Sequence, residues 1–187
     1  RSTLFPYTTL FRSALLDVLR DAAPELDLVS VSEGIEPRAL EGEADPHVWL
    51  DPTLVAVWAE NAARALTRLA PGGAEAFWAN ARALQAELAE LDAWIAVQVA
   101  ALPAPRRLVT DHDAFGYFAA RYGFEVVGTV VPGPSTAAEP SARALAALQD
   151  AMRELGVRAV FVGATVDPAL ARRQTEIVGA RVGTPVT

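Results

Sequence analysis

Only two histidines occur in the chain, and both stand in aspartate-flanked loops: His47 in ADPHVWLDP and His112 in VTDHDAF. Neutral imidazole is the commonest protein ligand for zinc, and a neighbouring carboxylate can orient the ring through its other nitrogen. His112 falls where a parallel strand ends and a helix begins, and loops at the carboxyl ends of parallel strands line the crevice where α/β sheets bind ligands. Asp45 and Asp113 are the carboxylates singled out as orienting partners for the two rings. A competing reading makes both histidines ordinary surface or packing residues, with Asp113 simply capping its helix. Two imidazoles do not make a zinc site, which takes four protein ligands, or three and a water. With no HExxH, no histidine pair at helical spacing and no cysteine knuckle, a full site must recruit carboxylates or residues elsewhere.

Other chemistries find less support. The absence of cysteine removes disulfides, thiolate zinc sites and thiol catalysis together. Gly133-Pro134-Ser135-Thr136 lacks the Gly-Lys-Ser that would follow in a phosphate loop, so it reads as a flexible rim loop. No serine sits in a nucleophile-elbow context. Trp49, Trp58, Trp78 and Trp94 are expected to be core or helix-packing groups. The acidic run Glu41 to Asp45 reads as a solvated loop, of a kind that can attract cations.

The elements that must position these residues follow from pattern. The 187 residues are enough for one domain or two small lobes, and 52% hydrophobic content is too high for disorder. A net charge of −7 argues against nucleic acid as a partner, since no basic face would displace phosphate counterions. All 16 positive charges are arginine, which fits a GC-rich coding bias rather than a function. No apolar run approaches the ~20 residues of a membrane span. Arg1 to Ser13, RSTLFPYTTLFRS, is the one-frame translation of a common short-read sequencing adapter, so it is set aside from the fold. The natural N-terminus is accordingly expected to be missing, and the end at Thr187 to cut an element midway.

From Ala14 to Leu19 the pattern is helical, and Leu26 to Val31 alternates like a strand. Ser32 to Asp45 should be loop. Asp51-Pro52 starts a helix running to about Leu69, with Leu54, Val57, Trp58, Ala62, Ala65, Leu66 and Leu69 on one face. Pro71-Gly72-Gly73 breaks it. A second helix, Ala74 to Leu102, carries one apolar stripe from Phe77 through Leu84, Leu91 and Val99 to Leu102, and Pro103 and Pro105 stop it. Thereafter strand and helix alternate: strands at 107–110, 124–131, 157–162 and 180–182, helices at 114–122, 141–155 and from Asp167-Pro168 through Val178. Such alternation specifies a parallel sheet with helices on its faces.

Taken together, DPHVWLDP, the long helix ending in proline, VTDHDAFGYFAARYGFEVVG and PSTAAEPSARALAALQDAMRELGVRAVFV resemble the metal-binding subunits of bacterial zinc and manganese ABC importers, the ZnuA/TroA-like solute-binding proteins. The resemblance implies an α/β fold of two Rossmann-like lobes with parallel sheets joined by one long helix. It divides the chain into the adapter-derived residues 1–13, a partial N-terminal lobe at 14–72, the linking helix at 73–102 and a partial C-terminal lobe at 103–187. His47 then matches the ligand of the first lobe's DPH motif and His112 the ligand of the second. Zinc-type members carry histidine at the latter place and manganese-type members glutamate, which favours Zn2+, with Mn2+ the alternative. The family's first ligand, a histidine, would precede this chain, and an aspartate would follow Thr187. The chain lacks the His-rich loop that zinc-type members often carry before DPH, and reads Phe161-Val162-Gly163 where many read Phe-Val-Glu.

The implied function is a monomeric extracytoplasmic receptor, in the periplasm or lipid-anchored, that captures a divalent metal and delivers it to an ABC permease. Two alternatives stand beside it. One is a zinc-dependent hydrolase with Asp111 or Asp113 as base; the other is a surface adhesin or structural module whose histidines bind nothing.

Overall fold

The computed structural model of the chain describes residues 10–25, 27–40, 42–131, 141–163, 176 and 181–182. Two compact units emerge, Arg1–Pro46 with Pro52–Asp92, and His47–Asp51 with Ala93–Thr187.

In the first unit, helix α1 spans Leu10–Ala22, longer at both ends than the apolar pattern predicts. Residues 27–31 form no strand, contrary to the alternation of Leu26–Val31; Leu26 itself lies outside the described residues. The reason is visible in the hydrogen bonds. Asn61 Nδ2 donates to the carbonyl oxygens of Val31 and Glu33 at 2.8 and 2.9 Å, and Trp58 Nε1 donates to Ser32 Oγ at 2.9 Å. Asn61 of the following helix thus takes up a backbone carbonyl that a strand would pair in a ladder, and Trp58 ties down the adjoining Ser32 side chain. The predicted loop at 32–45 contains a small antiparallel hairpin, β1 (Ala39–Leu40) against β2 (Glu43–Ala44), turning at Gly42 with φ +86°. Only glycine adopts that conformation without strain.

Helix α2 runs Pro52–Leu69 and opens on proline, as predicted. Pro52, Asn61 and Ala63 are its buried positions, whereas Leu66 and Leu69, read as part of the apolar face, are exposed. After the 3₁₀ turn Pro71–Gly73, helix α3 runs Ala74–Ala100, 27 residues or about 40 Å at ~1.5 Å per residue. Ala81 and Val99 of its stripe are buried, but Leu84, Leu91 and Leu102 are exposed, as is Trp94 at 61%. Trp94 therefore does not fill the core, one of the two roles expected of it. Periodicity fixes which residues share a face; whether another layer covers that face is a separate matter.

In the second unit, β3 (Arg107–Thr110) pairs in parallel with β4 (Glu125–Thr129) through the short helix α4 (Gly116–Tyr122). The register shifts between Leu108 and Val109, so that Leu108 faces Val126 and Val109 faces Gly128. Helix α5 (Ala142–Leu155) is capped by Ser141 Oγ, which accepts from Ala144 N–H at 3.1 Å, and ends at Gly156 with φ +69°. Strand β5 (Ala159–Val160) follows and pairs in parallel with β6 (Arg181–Val182). Phe161 N–H donates to Val109 O and Asp111 N–H to Phe161 O, at 2.8 and 3.0 Å, which carries the sheet from β3 to the β5 segment. Val109 and Val160 are fully buried and pack with Val130, Val162, Leu148 and Met152. Each such aliphatic side chain stabilises the fold by about 1.5–3 kcal/mol on leaving water. Parallel strands alternating with helices make the fold α/β. The rim loop at 133–136 and the helix read at 167–178 lie outside the described residues, apart from Glu176. Among the described residues no helix is long and apolar enough to cross a membrane.

Candidate metal centre

Strand β3 carries His112 to the end of the sheet. Thr110, fully buried, donates through Oγ1 to the His112 carbonyl oxygen at 2.8 Å, and Ala114 N–H donates to the same oxygen at 2.9 Å. These two bonds fold the chain back on itself immediately after the strand. Asp111 keeps its backbone in the sheet: its carbonyl oxygen accepts from Val131 N–H at 2.8 Å while its N–H is held by Phe161. The imidazole of His112 therefore projects from a backbone fixed on both sides.

His47 is positioned by a local turn. It precedes the 3₁₀ segment Val48–Leu50, in which Leu50 N–H donates to His47 O and Asp51 N–H to Val48 O, each at 3.1 Å. The segment packs against α4, and Asp51 Oδ1 lies 3.4 Å from Arg121 Nε of that helix.

The two rings meet inside the second unit. Their centroids are 5.4 Å apart with planes at 65°, His47 is 5% exposed and the His112 side chain 18%. Trp49 presents itself edge-on to His47 at 5.2 Å and is 44% exposed. It borders the imidazole rather than filling the core, one of the two roles expected of it, because the 3₁₀ turn brings residue i+2 back beside His47.

The carboxylate against His112 is Asp111. Its Oδ2 lies 3.1 Å from His112 Nδ1, with its side chain 3% exposed. The alignment is poor: neither His112 Nδ1 nor Asp111 Oδ1 has a directed hydrogen-bond partner among the described residues, although both atoms are buried. The polar contact with Asp111 is nevertheless the main cause raising the His112 pKa above its ordinary value; partial burial opposes it, and the charges of Asp111 and Asp113 reinforce it. Asp113, chosen from sequence as an orienting group, thus acts on His112 through its charge. Asp45 is buried, with its N–H donating to Arg38 O at 2.8 Å, which corrects its assignment to a solvated loop. Backbone pairing at the end of the hairpin draws it in. The sequence offers Asp111 only as a hydrolytic base; its place against the ring follows from the sheet, which holds its backbone. Among the described residues, no cluster of three or more His, Asp or Glu side chains forms a complete metal cage.

Parallel strands alternating with helices, with His112 just beyond the carboxyl end of β3, make this a protein of the α/β class, in which that end of the sheet is where ligands usually bind. The family described as zinc-uptake complex component A, periplasmic, matches residues 7–187, and the chain belongs to it. It is a family of solute-binding proteins rather than a class of enzymes. Zinc-binding protein TroA of Treponema pallidum (strain Nichols) is 40% identical over 127 residues, covering 67% of this chain and 41% of that protein. Manganese-binding lipoprotein MntA of Bacillus subtilis (strain 168) is 35% identical over 156 residues, 80% of this chain and 50% of that one. The solved structure of the periplasmic zinc-binding protein TroA from Treponema pallidum superposes with a TM-score of 0.79 at 32% identity, covering 91% of this chain and 64% of the other. The chain spans half or less of the length of these two curated relatives.

Proposed function

We propose that this chain is the metal-capturing part of an extracytoplasmic solute-binding protein, periplasmic or lipid-anchored, that delivers a divalent cation to an ABC permease. His47 and His112 are two of the ligands, and zinc is preferred to manganese. The observation that carries this reading is the 5.4 Å approach of the two rings. Two imidazoles on one tetrahedral ion, with Zn–N of about 2.05 Å and about 1.1 Å more to each centroid, would have centroids roughly 5.2 Å apart. Two nitrogen donors favour zinc, since manganese prefers carboxylate and water oxygens. The zinc-binding and manganese-binding relatives support the cargo class. The other coordination positions fall to water or to groups outside the described residues.

Calorimetric titration of zinc into the 187-residue chain tests this. One zinc per chain is expected, with binding lost in both His47→Ala and His112→Ala and weaker heat from manganese. Unchanged zinc affinity in either variant would falsify the assignment.

A further inference from the structure

The buried contact beside His112 carries a further inference, which rests on the metal-capture reading. We propose that Asp111 is a positioning residue: it holds the proton of the neutral His112 ring on Nδ1, so that Nε2 is the donor atom offered to the metal. Two observations lead there. Asp111 Oδ2 stands 3.1 Å from His112 Nδ1, and the carboxylate is almost wholly removed from water. In the opposite tautomer, a nitrogen lone pair would face a carboxylate oxygen at that distance; with the proton on Nδ1, a positive edge faces it instead. The preference needs only the charge and the distance, not an ideally aligned hydrogen bond.

The second observation is that Asp111 Oδ1 and His112 Nδ1 are both buried without a directed partner among the described residues. Buried polar atoms in a native fold are nearly always paired, so adjacent exceptions mark a place where packing is not the only constraint. The Asp111 backbone is held by Phe161 on one side and Val131 on the other, which fixes the Cα from which the carboxylate projects. Carboxylates in this outer position typically change metal affinity 10- to 100-fold.

The experiment uses the full 187-residue chain without metal, in alkaline buffer where the imidazole is neutral. Long-range nitrogen–proton spectra report which nitrogen of His112 carries the proton. The expected result is the Nδ1–H tautomer in the parent chain and a shift towards the mixture of a free imidazole in Asp111→Ala. Asp111→Asn, near-isosteric, provides the comparison if the alanine variant does not fold; its amide oxygen should retain the tautomer in part. Zinc calorimetry on the same samples should show about a 10- to 100-fold loss for Asp111→Ala and a smaller loss for Asp111→Asn. An unchanged tautomer in Asp111→Ala overturns the inference even if zinc binds the parent chain. A tautomer shift in a parent chain that does not bind zinc upholds the positioning role and overturns the metal reading.

Discussion

The Arg121–Asp51 pair should contribute to the placement of His47, and its strength follows from its geometry. The Nε–Oδ1 distance is 3.4 Å, with the arginine side chain 32% exposed and the aspartate 13%. Coulomb attraction at that separation is about 1 kcal/mol in bulk water and about 5 kcal/mol at an effective dielectric of 20. Desolvation and the ordering of the arginine offset most of the larger value, and exposed pairs measure ~0.2–1 kcal/mol. One partner here is largely buried, so a coupling of about 1 kcal/mol is expected. Each residue makes further interactions, so single substitutions would mix several losses. A double-mutant cycle of Arg121→Ala and Asp51→Ala, followed by urea denaturation, isolates the pair. Backbone bonds link Asp51 to Val48 and Leu50 to His47, so loosening Asp51 loosens the ring. If that coupling reaches the site, zinc affinity in Arg121→Ala should fall about fivefold, the equivalent of 1 kcal/mol. A coupling below about 0.2 kcal/mol, or zinc affinity unaltered in Arg121→Ala, would refute the reasoning.

Three other outcomes are expected. Gly128→Ala should destabilise the chain by about 1–3 kcal/mol, because the new Cβ would lie 2.8 Å from Leu148 Cδ1; a urea midpoint equal to the parent's would contradict this. Met152→Ala, at a position 4% exposed in the central cluster, should cost about 2–5 kcal/mol, read from the same denaturation curves. The third concerns pH. The contact with Asp111 raises the pKa of His112 in the folded chain, so protonation stabilises the metal-free fold. That contribution is complete below the unfolded value, about 6.5, and disappears as pH rises through the higher native value. The advantage of the metal-free parent over His112→Gln should therefore shrink as the buffer is made alkaline; a constant difference would exclude it. Zinc binding runs the other way, weakening as pH falls through the raised pKa, since a protonated ring cannot ligate.

Much of this architecture is legible from residue types alone. Proline at 52 and 103 and the Ser141/Gly156 caps place helix limits because they act on the backbone locally. The two imidazoles stand out by rarity and by their aspartate neighbours. What was not legible depends on partners distant in sequence. Val29 and Val31 alternate as a strand would, but Asn61, some 30 positions on, claims the Val31 carbonyl. The strands of the Ala39–Ala44 hairpin are two residues long, too short for a period to register. Between Asp111 and Asp113, the flanking symmetry of VTDHDAF gave no reason to choose. The sheet decides, because Asp111 is still bonded to Phe161 and Val131 when the chain turns away.

The displaced pairing of β3 and β4 has a consequence for sequence drift. Because Val109 pairs with Gly128 after Leu108 has paired with Val126, Val127 is a surplus residue in β4. A bulge residue lengthens one strand without changing the partners that follow it, so deleting Val127 would leave Gly128 opposite Val109 and Thr129 opposite Thr110. What would go is one apolar side chain packed against the core and the local bend that the extra residue puts into β4, just before Val130 and Val131 reach Thr110 O and Asp111 O. A chain one codon shorter at this point would keep both imidazoles and the order of pairing, while the segment that anchors the Asp111 backbone would leave the sheet on a different course.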